Sequence, residues 1–133
     1  MRVLFTVVLA LLAATASDAQ TDFSKALIGK WQGEVEQWGT GGDPNRTLLI
    51  ESVAEKDGKW VAEGRYGITG KGMGKVQIDI DRGGQWPSIR FVTGASSTVR
   101  LNLLDEKSMS GKMTLTGTSQ RGNDRQMKLL KIE

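Results

Sequence analysis

From residue 30 onward the chain runs in short stretches of alternating apolar and polar residues, broken by glycine-rich turns. A period of two puts successive side chains on opposite faces of a strand, and no stretch holds the 3.6-residue spacing of an amphipathic helix. The runs span 30–38, 47–54, 59–68, 75–81, 88–93, 98–104, 108–116 and 125–132. Asp57-Gly58 and Gly83-Gly84 stand between runs, and such pairs are strong hairpin signals. The pattern predicts eight strands in an antiparallel meander.

The alternation also assigns faces. Trp31, Val35, Leu48, Ile50, Trp60, Ala62, Tyr66, Ile78, Phe91, Leu101, Met109, Met113 and Leu115 share one side, while Glu34, Glu51, Arg65, Asp79, Arg100 and Lys112 share the other. A sheet with one dry face needs cover, and the chain has no helix to provide it. Closing the sheet on itself supplies the cover, so the expected fold is all-β: an eight-stranded antiparallel up-and-down meander barrel. A two-sheet sandwich of the same strands is the alternative. The last run is ambiguous, because Met127/Leu129 and Leu130/Ile132 point opposite ways.

The barrel accounts for residues 20–133 as one domain. Residues 1–19 read as a signal peptide, with Arg2 before an apolar run of about a dozen residues and small residues before a cut after Ala19. That run is short of the roughly 20 residues a membrane span needs. The expected location is therefore periplasmic or secreted, with no membrane span. Residues 21–28 suit a short helical turn, with Asp22 or Ser24 as N-cap and Gly29 as terminator. The chain has no cysteine and no histidine, which removes disulfides, the thiol nucleophile, the usual general base and most zinc ligands. Its charge of +3 is spread among interleaved acids, without the basic stripe of a nucleic-acid binder.

The stretch Asp22 to Trp31, DFSKALIGKW, resembles the entry signature of lipocalins, in which a short helical turn leads into Gly-x-Trp on the first strand. Here the motif is Gly29-Lys30-Trp31. The chain is also similar to short exported bacterial domains with Leu-x-Gly-x-Trp-x-Gly, and to the wider calycin group that includes avidins. The resemblance implies a barrel floor closed by Trp31 with an arginine from near the end of the barrel stacked on its indole. Arg125 is the nearest match by order, ahead of Lys128 and Lys131. The chain departs from lipocalins in its short length and in lacking a C-terminal helix and a disulfide.

Candidate binding residues follow from the aromatic side chains. Trp60, Tyr66 and Phe91 face inward and would wall a hollow interior. Trp38 has the opposite parity to Trp31 and adjoins the polar stretch GTGGDPN, where an indole could stack on a sugar or an aromatic ring. The stretch YGITGKGMGK lacks the phosphate-loop spacing and reads as a hairpin loop able to act as a lid or contact tip. Alternating pairs such as Glu34/Glu36 read as solvated, and no residues are assigned to catalysis, metal or cofactor. The expected function is non-enzymatic binding of a small apolar or aromatic ligand or a glycan. The alternative is a protein-binding barrel, either inhibitor-like with an N-terminal arm or an envelope interaction module.

Overall fold

In the computed structural model, residues 24–36, 42–83, 86–94, 97–114 and 124–133 are described. The eight strands are β1 (Gly29–Val35), β2 (Asn45–Lys56), β3 (Lys59–Ile68), β4 (Gly74–Asp81), β5 (Ser88–Val92), β6 (Thr98–Asp105), β7 (Ser108–Thr114) and β8 (Asp124–Lys131). Each pairs antiparallel with its neighbours in sequence, and β8 returns to β1 with Trp31 opposite Lys131 and Val35 opposite Met127. The sheet is one closed barrel, which settles the choice against a two-sheet sandwich. Residues 1–19, which the sequence reading assigns to a signal peptide, and Trp38 and Leu115 lie outside the described residues.

Local chemistry explains the strand ends. Asp57 and Gly58 both have positive φ, 53° and 78°, the signature of a type I′ turn whose twist matches the flanking strands. Within the strands, alternate residues are buried and meet in a single cluster. Trp31, Phe91, Leu48, Ile78, Leu101, Met109, Met127 and Leu129 are fully or almost fully buried and occupy the barrel axis. The last strand is resolved in favour of Met127 and Leu129 inward, leaving Leu130 and Ile132 about half exposed. An extra residue at Glu51 shifts the β2–β3 register between Ile50 and Ser52. That bulge turns Val53 toward the core and Ser52 away from it.

The barrel has two distinct ends. At the floor lie the helical turn of residues 24–27, the β2–β3 hairpin, the β6–β7 turn and the C-terminal residues. At the mouth lie the β3–β4 and β5–β6 turns and the first residues of β2 and β8.

The floor is closed by a full accounting of the helical turn's carbonyls, which a helix C-terminus would otherwise leave without partners. Ile28 N–H donates to Ser24 O at 3.1 Å. Lys131 Nζ donates to Lys25 O at 3.1 Å and to Ala26 O at 3.0 Å. The Trp31 indole N–H donates to Leu27 O at 3.0 Å. The same ammonium lies 5.6 Å from the Trp31 ring centroid. Burial holds Lys131 below the usual lysine range, with Glu106 opposing the shift.

The cation on the indole is therefore Lys131 and not Arg125. Arg125 pairs with Met113 near the start of β8, six positions and about 20 Å along the strand from Lys131. Register decides the matter: only the residue opposite Trp31 can reach its ring. Lys131→Met removes two hydrogen bonds and the cation–π contact, and is expected to cost about 1–2 kcal/mol. Urea unfolding of the two proteins measures it, and an unchanged midpoint would mean the latch contributes nothing.

Candidate functional site

With the axis occupied by side chains, space for a ligand has to be sought at the ends. Toward the mouth, the β4–β5 ladder comprises only Asp79, Ile80 and Asp81 opposite Arg90, Ile89 and Ser88, all at the floor end of both strands. The mouth-end half of β4 carries no ladder to β5. There a pocket of about 440 Å³ opens, with Val76 and Gly74 of β4 on one side and Thr93, Gly94 and Ser97 on the other. Its base is formed by Tyr66 and Met113, and Ile68 adds apolar wall.

Tyr66 is the centre of this pocket. It is 8% exposed and packs edge-to-face on Phe91, with centroids 5.2 Å apart and planes at 61°. Its hydroxyl donates to Met113 Sδ at 3.8 Å, and a thioether is a weak acceptor. Burial raises the phenol above its ordinary range, while the charge of Arg46 and a hydrogen bond from it oppose the rise. The phenol is thus protonated at neutral pH and available as a donor.

Three cations line the pocket: Arg46 from β2, Lys71 from the β3–β4 turn, and Arg125 from β8. No carboxylate lines it among the described residues. Arg46 Nη1 donates to the carbonyls of Asp43 and Asn45, the second at 3.0 Å, which orients the guanidinium. The turn carrying Lys71 is tied to β2 by Thr69 N–H donating to Asn45 O at 3.2 Å and by the Thr47–Thr69 hydroxyl pair at 2.8 Å. Asp43 is not part of the lining; its carboxylate accepts from the backbone and side chain of Asn45 at 3.0 and 3.1 Å. The Asn45 backbone N–H, its side chain, and the charges of Lys71 and Arg46 hold Asp43 below the usual carboxylate range.

The aromatic candidates separate. Tyr66 and Phe91 come together, Tyr66 lining the pocket and Phe91 supporting it from below. Trp60 sits six residues from Tyr66 on β3, at the floor end, where it is half-buried with Arg82 5.2 Å over its ring. The two cannot wall one site. Trp38 lies outside the described residues, in the connection between β1 and β2. Compared with known proteins, the chain matches no family model, and no curated protein or solved structure matches it.

A larger hollow of about 660 Å³ lies beside the floor, but its walls are Lys25, Glu106, Lys107, Lys131 and Glu133, with only Ala26 and Ile132 apolar. It is a solvated surface, and its key cation is already engaged with Trp31. Among the described residues, no three carboxylates converge as a cation site would require. Periodicity does not single out Arg46 or Lys71, because Arg46 stands at the start of β2 and Lys71 in the β3–β4 turn, where alternation stops. Their signal is topological: in a meander, the start of β2 and the β3–β4 turn fall at the same end.

Proposed function

We propose that the chain is an exported, non-enzymatic barrel of calycin-like type that binds a small apolar or aromatic ligand at its mouth. The observation that carries this reading is the pocket of about 440 Å³ over Tyr66, bounded by Val76, Ile68 and Met113, beside an interior already filled by side chains. Its volume falls within the roughly 300–1,000 Å³ typical of small-molecule sites. The Gly-x-Trp entry under a cation from the last strand supports the calycin-like assignment, and residues 1–19 support export.

The neutral fluorescent probe N-phenyl-1-naphthylamine tests the site. Gly72 lines the pocket, and a side chain there meets open space, so Gly72→Trp can fill the mouth without straining the fold. It is expected to weaken probe binding by about tenfold or more through lost apolar burial. Trp60→Phe, at the far end, is expected to leave binding unchanged. Equal binding by wild type and Gly72→Trp would sink the mouth site.

A protein-binding reading rests on a different surface. Leu104, Leu130 and Ile132 are each about half exposed on the outside of the floor half, where single apolar residues are ordinary but a group is less so.

A further inference from the structure

We infer that the ligand at the mouth is a small organic anion, its apolar body over Tyr66 and Met113 and its carboxylate or phosphate head among Arg46, Lys71 and Arg125. The inference rests on the mouth-site reading and adds the chemical class of the ligand. Two observations point to it.

The first is the charge of the lining. Cations from three separate parts of the chain converge on one pocket, and no described lining residue is acidic. Surface lysines and arginines elsewhere on this barrel alternate with carboxylates, as in Arg65 with Glu51 at 3.5 Å and Arg90 with Asp79 at 3.7 Å. At the mouth the described carboxylates Asp43 and Asp124 lie outside the lining and are engaged locally. Asp43 accepts from the backbone and side chain of Asn45 and Asp124 from the Thr114 hydroxyl, although the charge of Asp43 is felt by Lys71 and Arg46. The guanidinium of Arg46 is held by two backbone carbonyls, so its fork is oriented before a ligand arrives. A fixed fork suits a planar carboxylate or a phosphate, which it can engage through two parallel N–H bonds.

The second is the Tyr66 hydroxyl. A buried phenol is a strong donor, and here its acceptor is a thioether at 3.8 Å. An anionic oxygen entering beside Arg46 would replace a weak acceptor with a strong one. The same oxygen would face both the phenol and the guanidinium, so head and body are read at one place.

Matched naphthalenes separate the terms: neutral 1-naphthol, 1-naphthoate, and 1-naphthyl phosphate, titrated by fluorescence or calorimetry at low salt. Wild type is expected to bind at least one anion about tenfold tighter than 1-naphthol, as charge-assisted bonds in a partly dry site permit. The anion that binds better identifies the head. Lys71→Gln, at an exposed turn position that leaves the core untouched, is expected to reduce the preference severalfold. Arg46→Gln is expected to abolish it, the preference being read in each variant as the ratio of anion to 1-naphthol affinity. Equal binding of naphthol and both anions by wild type, or a preference that survives Arg46→Gln, would overturn the anion assignment while leaving the mouth site standing. Failure of the mouth site itself shows differently, as binding that Gly72→Trp does not disturb.

Discussion

Trp31→Ala is expected to remove about 4 kcal/mol or more from the stability of the barrel. Among the described residues Trp31 is the largest fully buried side chain, with no exposed surface. Truncation leaves a cavity the size of an indole at the floor, where residues 24–27, β1 and β8 meet. It also strips Leu27 O of its donor and Lys131 of the ring beneath it. A domain of this size has about 5–15 kcal/mol in all, so the melting temperature should fall by roughly 20 °C. Trp31→Phe separates the two contributions: it keeps most of the volume, loses the indole N–H, and should cost about 1–2 kcal/mol. Thermal and guanidinium unfolding followed by circular dichroism give both values. A loss under about 1 kcal/mol for Trp31→Ala would show that the floor is not anchored there.

Gly111→Ala should cost about 3 kcal/mol for a different reason, one that no propensity scale records. Gly111 is the middle inward position of β7, between Met109 and Met113. A Cβ on it would run into the carbonyl oxygen of Arg100 on β6, far inside van der Waals contact, and against Leu101 Cα at 2.9 Å. The obstacle is backbone, so it cannot swing aside as a side-chain tip could. Relief requires β6 and β7 to part, loosening the ladder that pairs Leu101 with Gly111. Gly33 repeats the arrangement on β1 against the Lys128 carbonyl, midway between Trp31 and Val35. A small barrel has to coil its strands tightly, and a glycine at the inward crest lets a neighbouring backbone cross close to it. Gly72→Ala, with open space around its Cβ, serves as the control and should stay within about 0.5 kcal/mol. Comparable losses at Gly111 and Gly72 would refute the close-approach argument.

Much of this barrel is legible along the chain. Runs such as 59–68 and 88–93 reappear almost residue for residue as β3 and β5, because alternation and turn residues act over a few positions and leave a local record. The glycine crests were equally readable in principle, since Gly33 and Gly111 interrupt otherwise large inward residues at regular parity. Trp60 and Tyr66 hold a subtler lesson. Their shared parity suggested a shared site, yet six residues of strand carry them about 20 Å apart, to opposite ends. Parity specifies a face but not a height along the barrel axis.

What the sequence alone determined is therefore the number of strands, their order, their faces and the inward place of Trp31, all consequences of a two-residue period and local turn chemistry. What only the tertiary structure decided is which residues meet across distance. The register between β1 and β8 puts Lys131, and not Arg125, on the Trp31 indole. The same closure places Arg125 at the mouth, in one pocket with Arg46 of β2 and Lys71 of the β3–β4 turn. Closure register follows from the packing of all eight strands together, including the extra residue at Glu51, and no short stretch of sequence contains that sum.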